Sequence, residues 1–289
     1  MRLAFFTGAR SEYGTTRKLL KELNKDSFFE ACVIVGGMHL LKEYGETISE
    51  IEKDNFKIAA KIPFFEENIN PNHIHFIKAI NEITNHLLHH KYDGLFLVED
   101  RIESYAAALA AHFSHIPILH SGGGTITRGA VDNIYRYNIT NLANYHFATS
   151  KGNFNRLLLL PTIDKNKTFF TGSIAIDSIK EFKTSSHSSI EKLIPGIKKG
   201  QFVLITFHAA TNSSEPISLI LEHAVNFILK KEYQVLITYP NNDPGSQDIL
   251  NTIKKLYNTP NVFVTKSLGA IGYYTALEEC KLVLGNSSS

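Results

Sequence analysis

Residues 98–133 read VEDRIESYAAALAAHFSHIPILHSGGGTITRGAVDN. An apolar run ends at Val98 and gives way to a carboxylate and an arginine, Asp100 and Arg101. An alanine-rich helical stretch follows, then a second short apolar run, a glycine run and another carboxylate, Asp132. Strand, helix, strand in this order is a βαβ unit. In an open α/β sheet, ligands collect outside the carboxyl ends of the strands, so polar residues at two successive strand ends mark the ligand side. The chemistry is expected there.

Working outward toward the N-terminus, strands are predicted over 94–98, 57–62, 31–35 and 3–7, with helices over 74–88, 44–54 and 13–24 between them. Toward the C-terminus, 103–113 reads as a helix, 117–120 as a strand, and 132–141 and 152–160 as helices on either side of a strand at 145–148. A strand at 168–171 and a helix at 175–182 lead into KTSSHSSIEK, the only stretch with linker composition. The same grammar then restarts, with strands at 202–206, 234–238, 262–264 and 282–284 and helices at 217–229, 247–257 and 269–279. Alternation of this kind predicts an α/β protein with doubly wound parallel sheets and right-handed crossovers. Two Rossmann-like domains are expected, 1–172 and 173–289, with a cleft between them.

With 289 residues, 43% of them hydrophobic, the chain can bury a sizeable core. Thirty basic and 28 acidic residues leave a net charge of +2, which gives no general attraction to nucleic acid or to a membrane surface, so any anion site must be local. Cys32 and Cys280 are far apart and form no CxxC pair, against both a disulfide framework and a structural zinc site. A cytoplasmic protein is expected. The opening apolar run is too short for a signal peptide, and no stretch approaches the roughly 20 apolar residues of a membrane span.

Gly8-Ala9-Arg10-Ser11-Glu12-Tyr13-Gly14 joins the first strand to the first helix. Free backbone N–H groups there would attract an anion and Arg10 would add a phosphate contact; a tight turn with a solvated arginine is the alternative. Gly36-Gly37-Met38-His39 repeats the arrangement, with a plain turn and a surface histidine as the stronger reading. His73, His75, His86, His89 and His90 lie on or beside one amphipathic helix, without HExxH or an intervening carboxylate ligand, and read as a solvated face rather than a metal site. His208 differs, since it directly follows the apolar run FVLITF at a strand end, where it can bind a diphosphate or move a proton; capping or burial is its alternative. Asn241 stands in the turn-rich PNNDPGS, and Ser287 and Ser288 in the GNSSS that follows the last strand offer hydroxyl and backbone donors.

Taken in order, GARSEYG, GGMHL, EDRIESYAAALAA, IPILHSGGG, GAVDN with Arg136, TFHAAT, YPNNDPGS, KSLGAIGYYTAL and LGNSSS resemble the hydrolysing UDP-N-acetylglucosamine 2-epimerases of sialic-acid-type sugar pathways. The resemblance spans essentially the whole chain. It implies a glycosyltransferase-B-like fold whose second domain is incomplete here, a UDP-sugar substrate, a homodimer, and neither metal nor nicotinamide cofactor. The implied reaction removes the C2 proton, eliminates UDP from C1 and adds water to the resulting 2-acetamidoglucal, giving N-acetylmannosamine or a related modified sugar. Such chemistry needs carboxylates for proton transfer and cations on the departing diphosphate. By position, Asp100 and Asp132 are the acid/base or water-handling carboxylates, with Glu103 a further catalytic candidate or, with Arg136, an orienting residue. Arg10, His208, Ser287 and Ser288 hold the diphosphate, with Asn241 nearby.

Two departures stand out. Glu99-Asp100-Arg101 replaces the usual Gly-Asp-Arg, and Gly122-Gly123-Gly124-Thr125 replaces His-Gly-Gly-Glu, so Thr125 stands where a catalytic glutamate is implied. Glu99 or Glu103 would then have to substitute. A degenerate sugar-nucleotide-binding homologue and a glycosyltransferase of the same fold are the alternative functions.

Overall fold

Short apolar runs become parallel strands, and amphipathic stretches between them become the helices that cover both sheet faces. The computed structural model describes residues 1–66, 69, 72–128, 130–209, 217–243 and 245–286. In chain order the first half contains β1 (Arg2–Thr7), α1 (Arg10–Leu23), β2 (Glu30–Gly36), α2 (Ile48–Lys53), β3 (Lys57–Ile62), α3 (His73–His89), β4 (Gly94–Val98) and α4 (Ile102–Phe113). It continues with β5 (Ile118–Ser121), α5 (Asp132–Leu142), β6 (Tyr145–Ala148), α6 (Lys151–Leu157), β7 (Thr168–Phe170) and α7 (Ile174–Thr184). The second half holds α8 (Ile190–Leu193), β8 (Phe202–Thr206), α9 (Ile217–Lys230), β9 (Gln234–Thr238), α10 (Ser246–Leu256), β10 (Val262–Thr265), α11 (Gly269–Glu279) and β11 (Leu282–Gly285).

The strands form a seven-stranded sheet in the order β3-β2-β1-β4-β5-β6-β7 and a four-stranded sheet in the order β10-β9-β8-β11, with every pairing parallel. Strand order reverses between β1 and β4 in the first sheet and between β8 and β11 in the second. Each sheet therefore has a topological switch point, where a crevice opens at the carboxyl ends of the strands. The expected α/β architecture with doubly wound parallel sheets is the one observed.

The first core joins Leu3, Phe5, Val33, Val35, Phe96 and Val98 of β1, β2 and β4 to Tyr13 and Leu20 of α1 and to Ile48 and Ile51 of α2. In the smaller sheet, Val203 and Ile205 face α9 and α10, whereas Phe202 and Leu204 face Ile190 and Ala276. This alternation with a period of two is what a strand buried on both faces requires.

Two compact units result, one comprising Met1–Leu41, Glu46–Glu67 and Asn72–Glu181, the other chiefly Phe182–Ser289. The main division thus falls inside α7 rather than at 172/173. α7 packs with the first unit: Ser178 Oγ donates to the Gly14 carbonyl at 3.4 Å, and Lys21 Nζ reaches Glu181 at 3.2 Å. The stretch expected to be a linker is also partly folded. Ile190 is fully buried and its N–H donates to Glu279 Oε2 at 2.8 Å.

Candidate functional site

At the switch point of the first sheet, β4 ends at Val98 opposite Ser121, the last residue of β5. Glu99 follows with φ +61°, a left-handed conformation that side chains other than glycine rarely adopt. Its N–H donates to the Ser121 carbonyl at 2.9 Å, and its own carbonyl accepts from His120 Nε2 at 2.8 Å. His120 is completely buried, and desolvation holds its pKa down at about 4. The imidazole is therefore a neutral strut.

Asp100 accepts from Arg136 Nη2, and Arg136 is only 3% exposed. The same guanidinium donates through Nη1 to the Thr125 carbonyl at 3.1 Å and to Asn133 Oδ1 at 3.0 Å. One arginine of α5 thus ties the glycine-rich loop to the end of β4. Burial pushes the Asp100 pKa up to about 7, opposed by Arg136 and reinforced by the charges of Asp132 and Glu99. Asp132 is the first residue of α5, where the helix N-terminus favours a negative charge. Two carboxylates this close to one another at a sheet crevice, one of them buried and raised in pKa, suit proton transfer.

Glu103 lies in the first turn of α4, 2% exposed, and accepts from Arg101 Nε at 3.2 Å and Nη2 at 3.0 Å. A Cβ placed on Gly8 would come within 2.9 Å of the Glu103 Cβ, so glycine is required where the β1 end meets α4.

Around Arg10 the backbone differs from expectation. α1 begins at Arg10, and the N–H groups of Gly8 and Ala9 donate to Glu12 Oε2 at 2.7 and 3.0 Å. The acceptor in this turn is the protein's own carboxylate, and the Arg10 side chain is half-buried. His39 also departs from a surface reading, since it is fully buried between Thr7 Oγ1 at 2.9 Å and Thr47 Oγ1 at 2.8 Å. In α3, His73, His89 and His90 are exposed as a solvated face requires, but His75 is buried and His86 bonds the Tyr92 hydroxyl at 2.8 Å. Among the described residues no group of His, Cys, Asp and Glu could hold a metal ion.

A second constellation occupies the switch point of the smaller sheet. His208 stands just past β8, and its N–H donates to Asn286 Oδ1 at 2.8 Å while its carbonyl accepts from Asn286 Nδ2 at 2.9 Å. Its Nδ1 accepts from the Asn241 N–H at 3.2 Å, which fixes the tautomer with the proton on Nε2, a donor suited to an anion. The structure therefore brings His208, Asn241 and Asn286 together. Ser287 and Ser288 lie outside the described residues.

Sequence reasoning missed Asn286, whose signal was its place at a strand end before the serines. It also missed Asn153 and Arg156 of α6, which hold the glycine loop: Asn153 Nδ2 donates to Thr125 Oγ1 at 2.8 Å, and Arg156 donates to the Gly124 carbonyl. No pattern linked α6 to a loop so distant in sequence.

The family described as UDP-N-acetylglucosamine 2-epimerase matches residues 21–289. A UDP-N,N'-diacetylbacillosamine 2-epimerase (hydrolyzing) of Legionella pneumophila is 30% identical over 293 residues, covering 100% of this chain and 76% of its own length. The GDP/UDP-N,N'-diacetylbacillosamine 2-epimerase (hydrolyzing) of Campylobacter jejuni is 29% identical over 299 residues, with coverages of 100% and 76%. Among solved structures, that of the UDP-GlcNAc 2-epimerase of Neisseria meningitidis bound to UDP-GlcNAc superposes with a TM-score of 0.80 at 20% identity, covering 100% of this chain and 78% of that one. That likeness extends the agreement in fold to a glycosyltransferase-B-like arrangement of elements.

Proposed function

Because the chain belongs to the UDP-N-acetylglucosamine 2-epimerase family, we propose that it is a hydrolysing 2-epimerase, eliminating UDP from a UDP-N-acetylhexosamine and hydrating the glycal to the C2-inverted free sugar. The carrying observation is the Asp100–Arg136 pair beside Asp132 at the first switch point. It supplies carboxylates for proton transfer, and burial keeps Asp100 from being a fully ionised surface acid. Asp132 serves with Asp100 in handling the proton and the water. Glu103 positions Arg101 and the start of α4.

His208 holds the diphosphate, with Asn241 and Asn286 fixing its tautomer and backbone and Ser287 and Ser288 adding donors; Arg10 is a further phosphate-binding candidate. The names of the Legionella and Campylobacter relatives support a diacetamido sugar nucleotide as substrate. Incubation of the intact protein with UDP-N-acetylglucosamine and with its diacetamido analogue, followed by detection of UDP and the free sugar, tests the proposal. Absence of UDP release from both, beside an active relative, would refute it.

One observation favours a second reading, binding without turnover. Thr125, the neutral residue of the glycine loop, has its hydroxyl occupied by Asn153. Under that reading UDP raises the melting temperature, no UDP is released, and Thr125→Glu gains measurable turnover.

A further inference from the structure

We propose that Glu99 is the group that takes the C2 proton of the bound sugar, a catalytic role that rests on the 2-epimerase reading above. Around this sheet end, three other carboxylates are already engaged. Glu12 accepts from Gly8, Ala9 and Ser104, Glu103 is held by Arg101, and Asp100 is held by Arg136. Among the described residues, no donor is hydrogen-bonded to the Glu99 carboxylate, and the residue is partly exposed although the strand before it is buried. Its carboxylate is not tied up by a hydrogen bond as those three are.

The backbone is arranged to present it. A glutamate gains nothing from φ +61°, a left-handed conformation that is strained for any residue with a side chain. The conformation is enforced by the two hydrogen bonds to Ser121 and His120 at the end of β5. The carboxylate lies against Gly122: a Cβ there would stand 3.0 Å from both Glu99 Cδ and Oε2. Glycine at 122 makes room for this carboxylate, and the two residues fit each other across neighbouring strand ends. Burial raises the Glu99 pKa, which makes the ionised form a stronger base, while the nearby Arg136 favours that ionised form.

In the elimination, a Glu99 oxygen forms an O–H bond to the C2 proton. The C–H electron pair becomes the C1=C2 double bond, the C1–O bond breaks, and its pair leaves on UDP. Glu99 then returns its proton to solvent. A second acid, Asp100 or Asp132, delivers a proton to C2 from the opposite face while water forms the C1–O bond, and the proton that this water releases restores the acid.

The test uses the intact protein and its Glu99→Gln and Glu99→Gly variants, measuring UDP release, UDP binding and circular dichroism. Both variants are expected to lose 10²- to 10⁴-fold in kcat while binding UDP as the wild type does. Formate added to Glu99→Gly is expected to restore part of the rate by refilling the vacated position. The glycine variant, relieved of the left-handed strain, is expected to melt no lower than the wild type and so guards against misfolding of the glutamine variant. A glutamine variant at the wild-type rate, or a rate loss accompanied by lost UDP binding, overturns the assignment of Glu99 and leaves the epimerase reading intact. A wild type that binds UDP but releases none overturns both.

Discussion

Glu12 is a charged side chain used as internal scaffolding, closing the turn after β1 through the N–H groups of Gly8 and Ala9. Burial first, and then the charge of Glu103, raises its pKa from 4.5 to about 7. The folded state therefore holds this proton more tightly than the unfolded chain does. Its contribution to stability is whole below about pH 4.5 and is lost as pH rises through about 7. Urea midpoints are expected to fall between about pH 5 and about pH 8, and to fall less in Glu12→Gln. Arg136 carries a second residue-scale prediction. Removing it leaves Asp100 buried without its cation and unties Thr125 and Asn133. Arg136→Ala is expected to cost about 3–5 kcal/mol in denaturant unfolding, well beyond an ordinary surface substitution. The place of Asp100 just past a strand was legible in the sequence because hydrophobic runs mark strand ends, and Asp132 was read at the start of a helix. The Arg136 partner of Asp100 was not, because a side-chain pairing between the end of β4 and α5 leaves no local pattern.

At the scale of elements, α4 shows how composition sets packing. Ala106, Ala107, Ala108, Ala110 and Ala111 are all 0% exposed, so much of the buried face of this helix is methyl groups, with Tyr105 adding ring contacts to Phe76 and Tyr135. Ala107→Leu adds bulk at a fully buried position and is expected to destabilise by about 1–3 kcal/mol, read as a lower urea midpoint at unchanged slope. Helix and strand periodicities gave most boundaries to within a few residues. The clearest exception is the helix expected over 44–54, which forms only as α2, Ile48–Lys53. Gly45 at φ +91° and Glu46 at φ +48° take left-handed conformations that a helix cannot include. α1 likewise starts earlier than its apolar spacing indicates, because Glu12 reaches back to close its first turn.

For the whole molecule, each unit carries its own core and its own sheet reversal, and the proposed UDP contacts of β8 and β9 belong to the second unit. UDP is expected to slow amide hydrogen exchange at the ends of β8 and β9, at His208 and Asn241 above all, and to raise stability by about 2.7 kcal/mol at a hundredfold excess over Kd. His208→Ala should abolish both effects; protection that survives the substitution would remove His208 from the diphosphate site. The sequence by itself determined the order of strands and helices, the parallel α/β class and the restart of the pattern in the second half. Those properties follow from periodicity and turn chemistry over short spans of chain. Only the tertiary structure decided that Glu99 lies against Gly122, that Glu12 fills the expected anion turn, and that Asn286 clasps His208. Those contacts depend on strand order, which brings distant segments side by side and which no local pattern of residues encodes.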